Sequence, residues 1–174
     1  MSGGTPAPTG RLEPRTDGRP GGDVVFERSF RAPADEIWAA VTRPDRLERW
    51  IGTWQGQPRT GRVTFTMTAE DGAEPEEVRI ERCEEPSVLT VAFRVADSSW
   101  RVSLRLAESD GTTTLGLVHH LEPGDDLPSY GPGWEYYLDR LVAVETSKVD
   151  PDSVSFDDYY PAQAGYYEKL AATL

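Results

Sequence analysis

Two histidines, one cysteine and a run of aromatic side chains are the groups in this sequence with chemistry to offer. His119 and His120 are neighbours in Thr112–Leu121, where Leu115, Leu117, His119 and Leu121 share the parity of a strand. Adjacent strand residues point to opposite faces, so the two rings cannot ligate one metal as neighbours. No His, Cys, Asp or Glu cluster at zinc spacing accompanies them, and neither a metal nor a cofactor is expected. His119, on the apolar parity, is a candidate hydrogen-bonding or acid–base group in a cavity. The stronger reading is a core histidine satisfied by a tyrosine or a backbone carbonyl. His120 is expected to be exposed. Tyr137 is the second catalytic candidate, its hydroxyl aimed at a ligand or at a neighbouring backbone group. Cys83 has no histidine beside it and nothing marks it as an activated thiol. Arg82 and Arg94 fall at strand ends or on the outward parity and read as solvated charges. Gly-x-Ser-x-Gly, Walker and dinucleotide fingerprints are absent. What remains is the aromatic richness itself: Trp54, Trp100 and Trp134 within reach of one opening lean toward a pocket for an apolar ligand.

The elements that must position these groups begin with Gly131–Lys148, GPGWEYYLDRLVAVETSK, the most strongly patterned helix in the chain. Trp134, Tyr137, Leu138 and Leu141 share a face at helical spacing, Gly131 is placed to cap it, and Pro132 fits a first turn. Glu135 lies toward the positive end, Lys148 toward the negative end. Such a face needs a surface to receive it, and the preceding segment supplies one. Asp23–Phe30 alternates as a first strand with Val24, Phe26 and Phe30 on one side. Two short helices follow, one opened by Pro33 and carrying Ile37, Trp38 and Val41, the other opened by Pro44 and carrying Leu47, Trp50 and Ile51, with Gly52 as its stop. From Gly61 to Leu121 the period is two, interrupted by Asp71-Gly72, Glu85-Pro86-Ser87, Asp97-Ser98 and Asp110-Gly111. The last of these is a strong hairpin signal. One-sided alternation over consecutive strands predicts an antiparallel sheet with one covered and one wet face.

Composition bounds the class. The 174 residues suffice for one domain with tails, and net charge −12 disfavours nucleic acid and anionic membrane as partners. One cysteine excludes an intrachain disulfide, and no apolar run approaches the roughly 20 residues of a membrane span. Without a signal-peptide pattern, a cytoplasmic protein is expected, monomeric or homodimeric. Residues 1–22, poor in large apolar groups, read as a disordered tail; residues 23–149 form the domain. Residues 150–174, carrying Phe156, Tyr159, Tyr160, Tyr166 and Tyr167, read as an extension packing on the domain or on a partner.

The order β-α-α-β-α, longest helix last, resembles the helix-grip fold of the START-like or SRPBCC superfamily. It is closest to the branch named after the activator of Hsp90 ATPase. The stretches that carry the resemblance are FRAPADEIWAAVTRPDRLERWIG (Phe30–Gly52), HHLEPG (His119–Gly124) and GPGWEYYLDRL (Gly131–Leu141). The fold implied is α+β: a curved antiparallel sheet of about six to seven strands wrapped around the C-terminal helix, with two short helices after strand one. The resemblance also implies a cavity between sheet and helix, lined by Trp54, Phe65, Met67, Val91, Phe93, Trp100, Val102, His119, Trp134, Tyr137, Leu138 and Leu141. The function it implies is binding of a hydrophobic or aromatic small molecule of the polyketide kind, with His119 and Tyr137 orienting it and the loop Leu121–Tyr130 as a gate. Relatives suggest three alternatives: a polyketide cyclase or aromatase, a self-sacrificing enediyne resistance protein, and an Hsp90-associated stress protein.

Overall fold

In the computed structural model, which describes residues 5–95 and 97–174, the alternating segments pair into one antiparallel sheet. In chain order the elements are β1 Arg11–Glu13, β2 Gly22–Phe30, α1 Ala34–Thr42, α2 Pro44–Leu47, β3 Thr53–Gln55, β4 Arg62–Thr66, β5 Glu76–Glu84, β6 Val88–Val95, β7 Ser98–Ser109 and β8 Thr112–Leu121. After them α3, Leu127–Val142, runs on into a π-helical turn over Ala143–Ser147, and α4, Ala164–Ala171, completes the described chain. The sheet order is β1-β2-β8-β7-β6-β5-β4-β3. The α+β helix-grip architecture is therefore as expected, with eight strands rather than six to seven. The two additions, β1 and β3, are edge strands of three residues, too short to register as a period. At the β7–β8 hairpin Asp110 and Gly111 both adopt positive φ, 52° and 77°, as a primed turn requires.

Val24, Phe26, Phe30, Leu115, Leu117 and Leu121 are buried on the inner face, against Leu138 and Leu141 of α3. The outer face is not uniformly wet: Val25, Val118, Thr90 and Ala92 are buried there too. N-terminal residues lie along that face, with Glu13 paired to Arg105 and Arg15 to Asp23.

The N-terminal segment is thus a correction. The expected disordered tail over residues 1–22 is, from Thr5 on, laid against the domain; Met1–Gly4 lie outside the described residues. β1 pairs with β2, Thr9 and Gly10 donate their N–H groups to Glu135 Oε1 at 2.9 and 3.1 Å, and Gln163 Nε2 donates to the Pro6 carbonyl at 2.8 Å. Apolar content misjudged this segment because polar bonds hold it, from its backbone to buried partners and from the buried Arg15 guanidinium to Asp23 and the Leu121 carbonyl.

The long helix also starts earlier than its spacing suggests. Asp126 is its N-cap residue and Pro128 occupies the first turn, so Pro132 lies inside, where its missing N–H removes one intrahelical bond. Leu127 is fully buried, which draws the start of the helix back into the expected gate and leaves only Glu122–Asp126 as loop. Gly131 is not a cap but a contact: a Cβ there would sit 2.5 Å from ring atoms of Tyr167. Tyr167, on α4, is fully buried against Phe26, with ring centroids 6.0 Å apart. Gly131→Ala is accordingly expected to destabilise the protein by about 1–3 kcal/mol through overpacking. This runs against the roughly 1 kcal/mol that alanine gains over glycine in a helix. Urea unfolding checks the sign, and a stabilised variant would refute the contact.

Candidate functional site

The helices α1 and α2 owe their place to one apolar side. Trp38 and Val41 of α1, and Leu47, Trp50 and Ile51 of α2 and its following turn, face the far half of the sheet without filling the space beneath. The remaining space is a cavity of about 250 Å³. Its floor is Val63 and Phe65 of β4, Val78 and Ile80 of β5, Leu89, Val91 and Phe93 of β6, Val102 and Leu104 of β7, and Leu117 of β8. Trp54 of β3, Pro58 and Cys83 line it as well, and α3 contributes Trp134. The volume is close to the lower end of the 300–1,000 Å³ or so common for small-molecule pockets.

Most polar groups of the wall have partners. Trp50 donates its indole N–H to the Ala40 carbonyl at 3.0 Å, Trp54 to the Thr42 carbonyl at 2.7 Å, and the Thr42 hydroxyl to the Trp38 carbonyl at 2.6 Å. Trp134 donates to His119 Nδ1 at 3.0 Å. The cavity therefore offers carbon surface, and a ligand in it would be held by burial and shape. Cys83 is exposed although it reaches the lining, and burial together with Glu85 pushes its thiol up, away from reactivity.

Of the residues expected to line one cavity, Trp54, Phe65, Val91, Phe93, Val102 and Trp134 come together in its wall. Met67, Trp100, His119, Tyr137, Leu138 and Leu141 do not. Trp100 and His119 stack with Tyr130 and Trp134 at centroid separations of 4.4–6.2 Å and fill the gap between β7, β8 and α3. Leu138 and Leu141 are plain core, and Met67 packs on the core from the segment after β4. The hollow consequently lies beside α1 and α2, not under α3. The residues missed, chiefly Trp38, Val41, Leu47, Trp50 and Ile51, were legible as an apolar side on two short helices. Which surface that side meets is a matter of long-range docking.

Neither titratable candidate is free to move protons in the ordinary range. An indole N–H can only donate, so His119 Nδ1 accepts and the neutral ring carries its proton on Nε2. Burial, and then the neighbouring His120, lower His119 to about 3. Its Nε2 and the Trp100 Nε1 are buried with no partner among the described residues. Tyr137 donates to Glu70 Oε1 at 2.8 Å, not to a backbone group, and burial followed by that carboxylate pushes its hydroxyl well above the usual range. A histidine whose folded pKa lies below its unfolded value takes up its proton only on unfolding. Its contribution to stability is whole above pH 6.5 and falls as pH drops from 6.5 toward 3. His119→Gln, which keeps an acceptor for Trp134 but does not titrate, is expected to escape this loss, up to about 1.4 kcal/mol per pH unit. Urea titrations of both proteins at several pH values test it; parallel pH profiles would refute it.

His120, expected to be exposed, is largely covered instead: its ring bridges Asp23 and Ser103 on the outer face, with 18% of the side chain exposed. Among the described residues no group of three or more His, Cys, Asp or Glu could hold a metal ion, and no helix is long and apolar enough to cross a membrane.

Solved structures share this architecture. CalU16 from Micromonospora echinospora is 27% identical in its crystal form, with 95% of this chain and 99% of CalU16 covered at a TM-score of 0.75. The solution structure of CalU16 gives 26% and 0.76. DynU16, from the dynemicin biosynthetic locus, is 25% identical over 74% of this chain and 49% of its own, with a TM-score of 0.62. No curated protein matches the chain. Residues 31–145 match the family described as Activator of Hsp90 ATPase homolog 1-like protein, which includes α1, α2, the sheet from β3 to β8 and nearly all of the long helix. This chain belongs to the Activator of Hsp90 ATPase homolog 1-like family.

Proposed function

We propose that this protein binds a hydrophobic, aromatic small molecule of the natural-product kind in the cavity between α1–α2 and the sheet. The observation that carries the reading is the cavity wall: about 250 Å³ of space faced by Trp38, Trp50, Trp54, Phe65, Phe93 and Trp134, with the indole donors of Trp50, Trp54 and Trp134 already bonded elsewhere. A charged or strongly hydrated ligand would lose its water there and gain few partners in return. A planar apolar one would replace poorly satisfied water and stack on aromatic faces. The likeness to DynU16, from the dynemicin biosynthetic locus, supports a ligand from natural-product chemistry. Proton-transfer chemistry of the cyclase kind gains no support from His119 or Tyr137, one held near pKa 3 and the other bonded to Glu70.

Four tryptophans in the wall make the test direct. Titration with a panel of aromatic polyketides is expected to quench or shift their fluorescence saturably, with one molecule retained per chain by native mass spectrometry. A flat response to every member of the panel would overturn the reading.

A further inference from the structure

The outer face of the sheet carries a constellation unrelated to the cavity. Asp23 of β2, His120 of β8, Ser103 of β7 and Thr90 of β6 sit on four adjacent strands and are bonded in series. Asp23 Oδ1 lies 2.9 Å from His120 Nδ1, His120 Nε2 lies 2.8 Å from Ser103 Oγ, and Ser103 Oγ lies 2.8 Å from Thr90 Oγ1. An ionised carboxylate can only accept, so His120 Nδ1 donates to Asp23. The neutral ring then has Nε2 free to accept the Ser103 O–H, while the serine oxygen accepts from Thr90. Arg15 fixes Asp23 from the other side, with Nε and Nη2 at 3.2 and 3.1 Å from the same Oδ1. Nucleophile, base and orienting carboxylate thus stand in the order and at the distances that activate a serine hydroxyl.

The surroundings bear on what such a serine could attack. The backbone N–H groups of β7 are engaged in the sheet, so donors for a developing oxyanion must be side chains. Arg101 and Arg105 flank Ser103 two residues away on either side, on the same face of the strand. Among the described residues Arg101 binds Glu81 through Nε, leaving its Nη amines, and Arg105 binds Glu13 through its Nη amines, leaving Nε. Arg105 folds its stem and Nε over Gly116, and beside the arginine lies a hollow of about 220 Å³ bordered also by Glu27, Leu106, Ala107 and Thr114. Arg105 pairs with Gly116 and Ser103 with Val118 in the register, so the hollow begins one pleat repeat, roughly 7 Å, from the serine.

We propose that Ser103, His120 and Asp23 form an esterase site on the outer face of the sheet, acting on small esters whose acyl chain rests in the hollow beside Arg105. Ser103 Oγ bonds to the carbonyl carbon as its proton passes to His120 Nε2, and the oxyanion faces Arg101 and Arg105. The bond to the alcohol oxygen then breaks, and the alcohol leaves with the proton from His120. Water repeats the sequence on the acyl-serine, releasing the acid and restoring the hydroxyl. Asp23 keeps its charge throughout and steadies the imidazolium.

A fluorophosphonate probe and p-nitrophenyl butyrate test the site on the full chain. Intact-mass and peptide analysis are expected to place one phosphonyl group on Ser103, and the aryl ester to be hydrolysed. Ser103→Ala should lose both signals. His120→Gln should slow both by roughly 10²-fold or more, the usual worth of a general base. Circular dichroism of each variant confirms the fold. An unlabelled, folded wild-type protein, a label on another residue, or a Ser103 label acquired at unchanged rate in His120→Gln would each overturn the proposal. Because the tryptophan-lined cavity lies on the opposite face, its titration stands or falls separately.

Discussion

Glu135→Ala is expected to lower stability by about 3–5 kcal/mol, the usual consequence of stripping one partner from a buried ion pair. For a chain of this size that corresponds to a fall in Tm of roughly 10 °C. Glu135 is 1% exposed at the middle of α3. Its Oε1 accepts from the backbone of Thr9 and Gly10, from the Thr9 hydroxyl at 2.7 Å and from the Tyr167 hydroxyl at 2.7 Å; its Oε2 accepts from Arg28 Nη2 at 3.0 Å. One carboxylate therefore ties the N-terminal segment, β2 and α4 to the long helix. Burial works against the Arg28 charge, yet Asp139 and Glu135 hold it above its ordinary value, and burial followed by Glu135 raises Tyr167. With alanine these donors lose the carboxylate, and of its two carboxylate partners Arg28 keeps only Asp139, at 3.0 Å. Glu135→Gln retains an acceptor of the same shape and is expected to lose less, about 1–3 kcal/mol. Urea unfolding gives both numbers, and limited proteolysis should show residues 5–13 freed in the alanine variant. A loss below about 1 kcal/mol, with those residues still protected, would show that the clasp contributes little.

Leu104→Trp is expected to weaken ligand binding by roughly 10²-fold or more, about 2.7 kcal/mol, while costing less than about 1.5 kcal/mol of stability. Leu104 lines the cavity from β7 and is only half-buried, so a larger side chain has room to enter the hollow without displacing packed core. An indole there occupies space that the ligand needs. Leu104→Met, close in volume, should bind as the wild type does. Fluorescence titration against the same compounds measures the difference. Unchanged affinity in a folded Leu104→Trp protein would move the binding site elsewhere.

The inner face of the sheet was legible because period two is a local property. Val24, Phe26 and Phe30, and Leu115, Leu117, His119 and Leu121, all lie where alternation puts them. The Asp110-Gly111 hairpin was legible for the same reason, since two positive φ angles in succession favour those residue types. The start of α3 was not, because Gly131 and Pro132 look like a cap when taken alone. Only the ring of Tyr167, over 30 residues away, explains a glycine in mid-helix. Likewise His120 reads as a solvent-facing residue until Asp23 and Ser103 arrive from two other strands.

By itself, then, the sequence determined the class of fold, the hairpin positions and the set of side chains turned inward, since these follow from spacing along one strand or helix. Tertiary structure decided where the inward residues leave space. Trp100, His119, Tyr130 and Trp134 fill one half of the grip, whereas Trp38 and Trp50 from the helices and Trp54 from β3 border open space in the other. It decided too that the N-terminal segment is held in place, by pairing of β1 with β2 and by a buried carboxylate on a helix well over 100 residues away. Cavities and clasps are sums over distant pairs, and no local period encodes them.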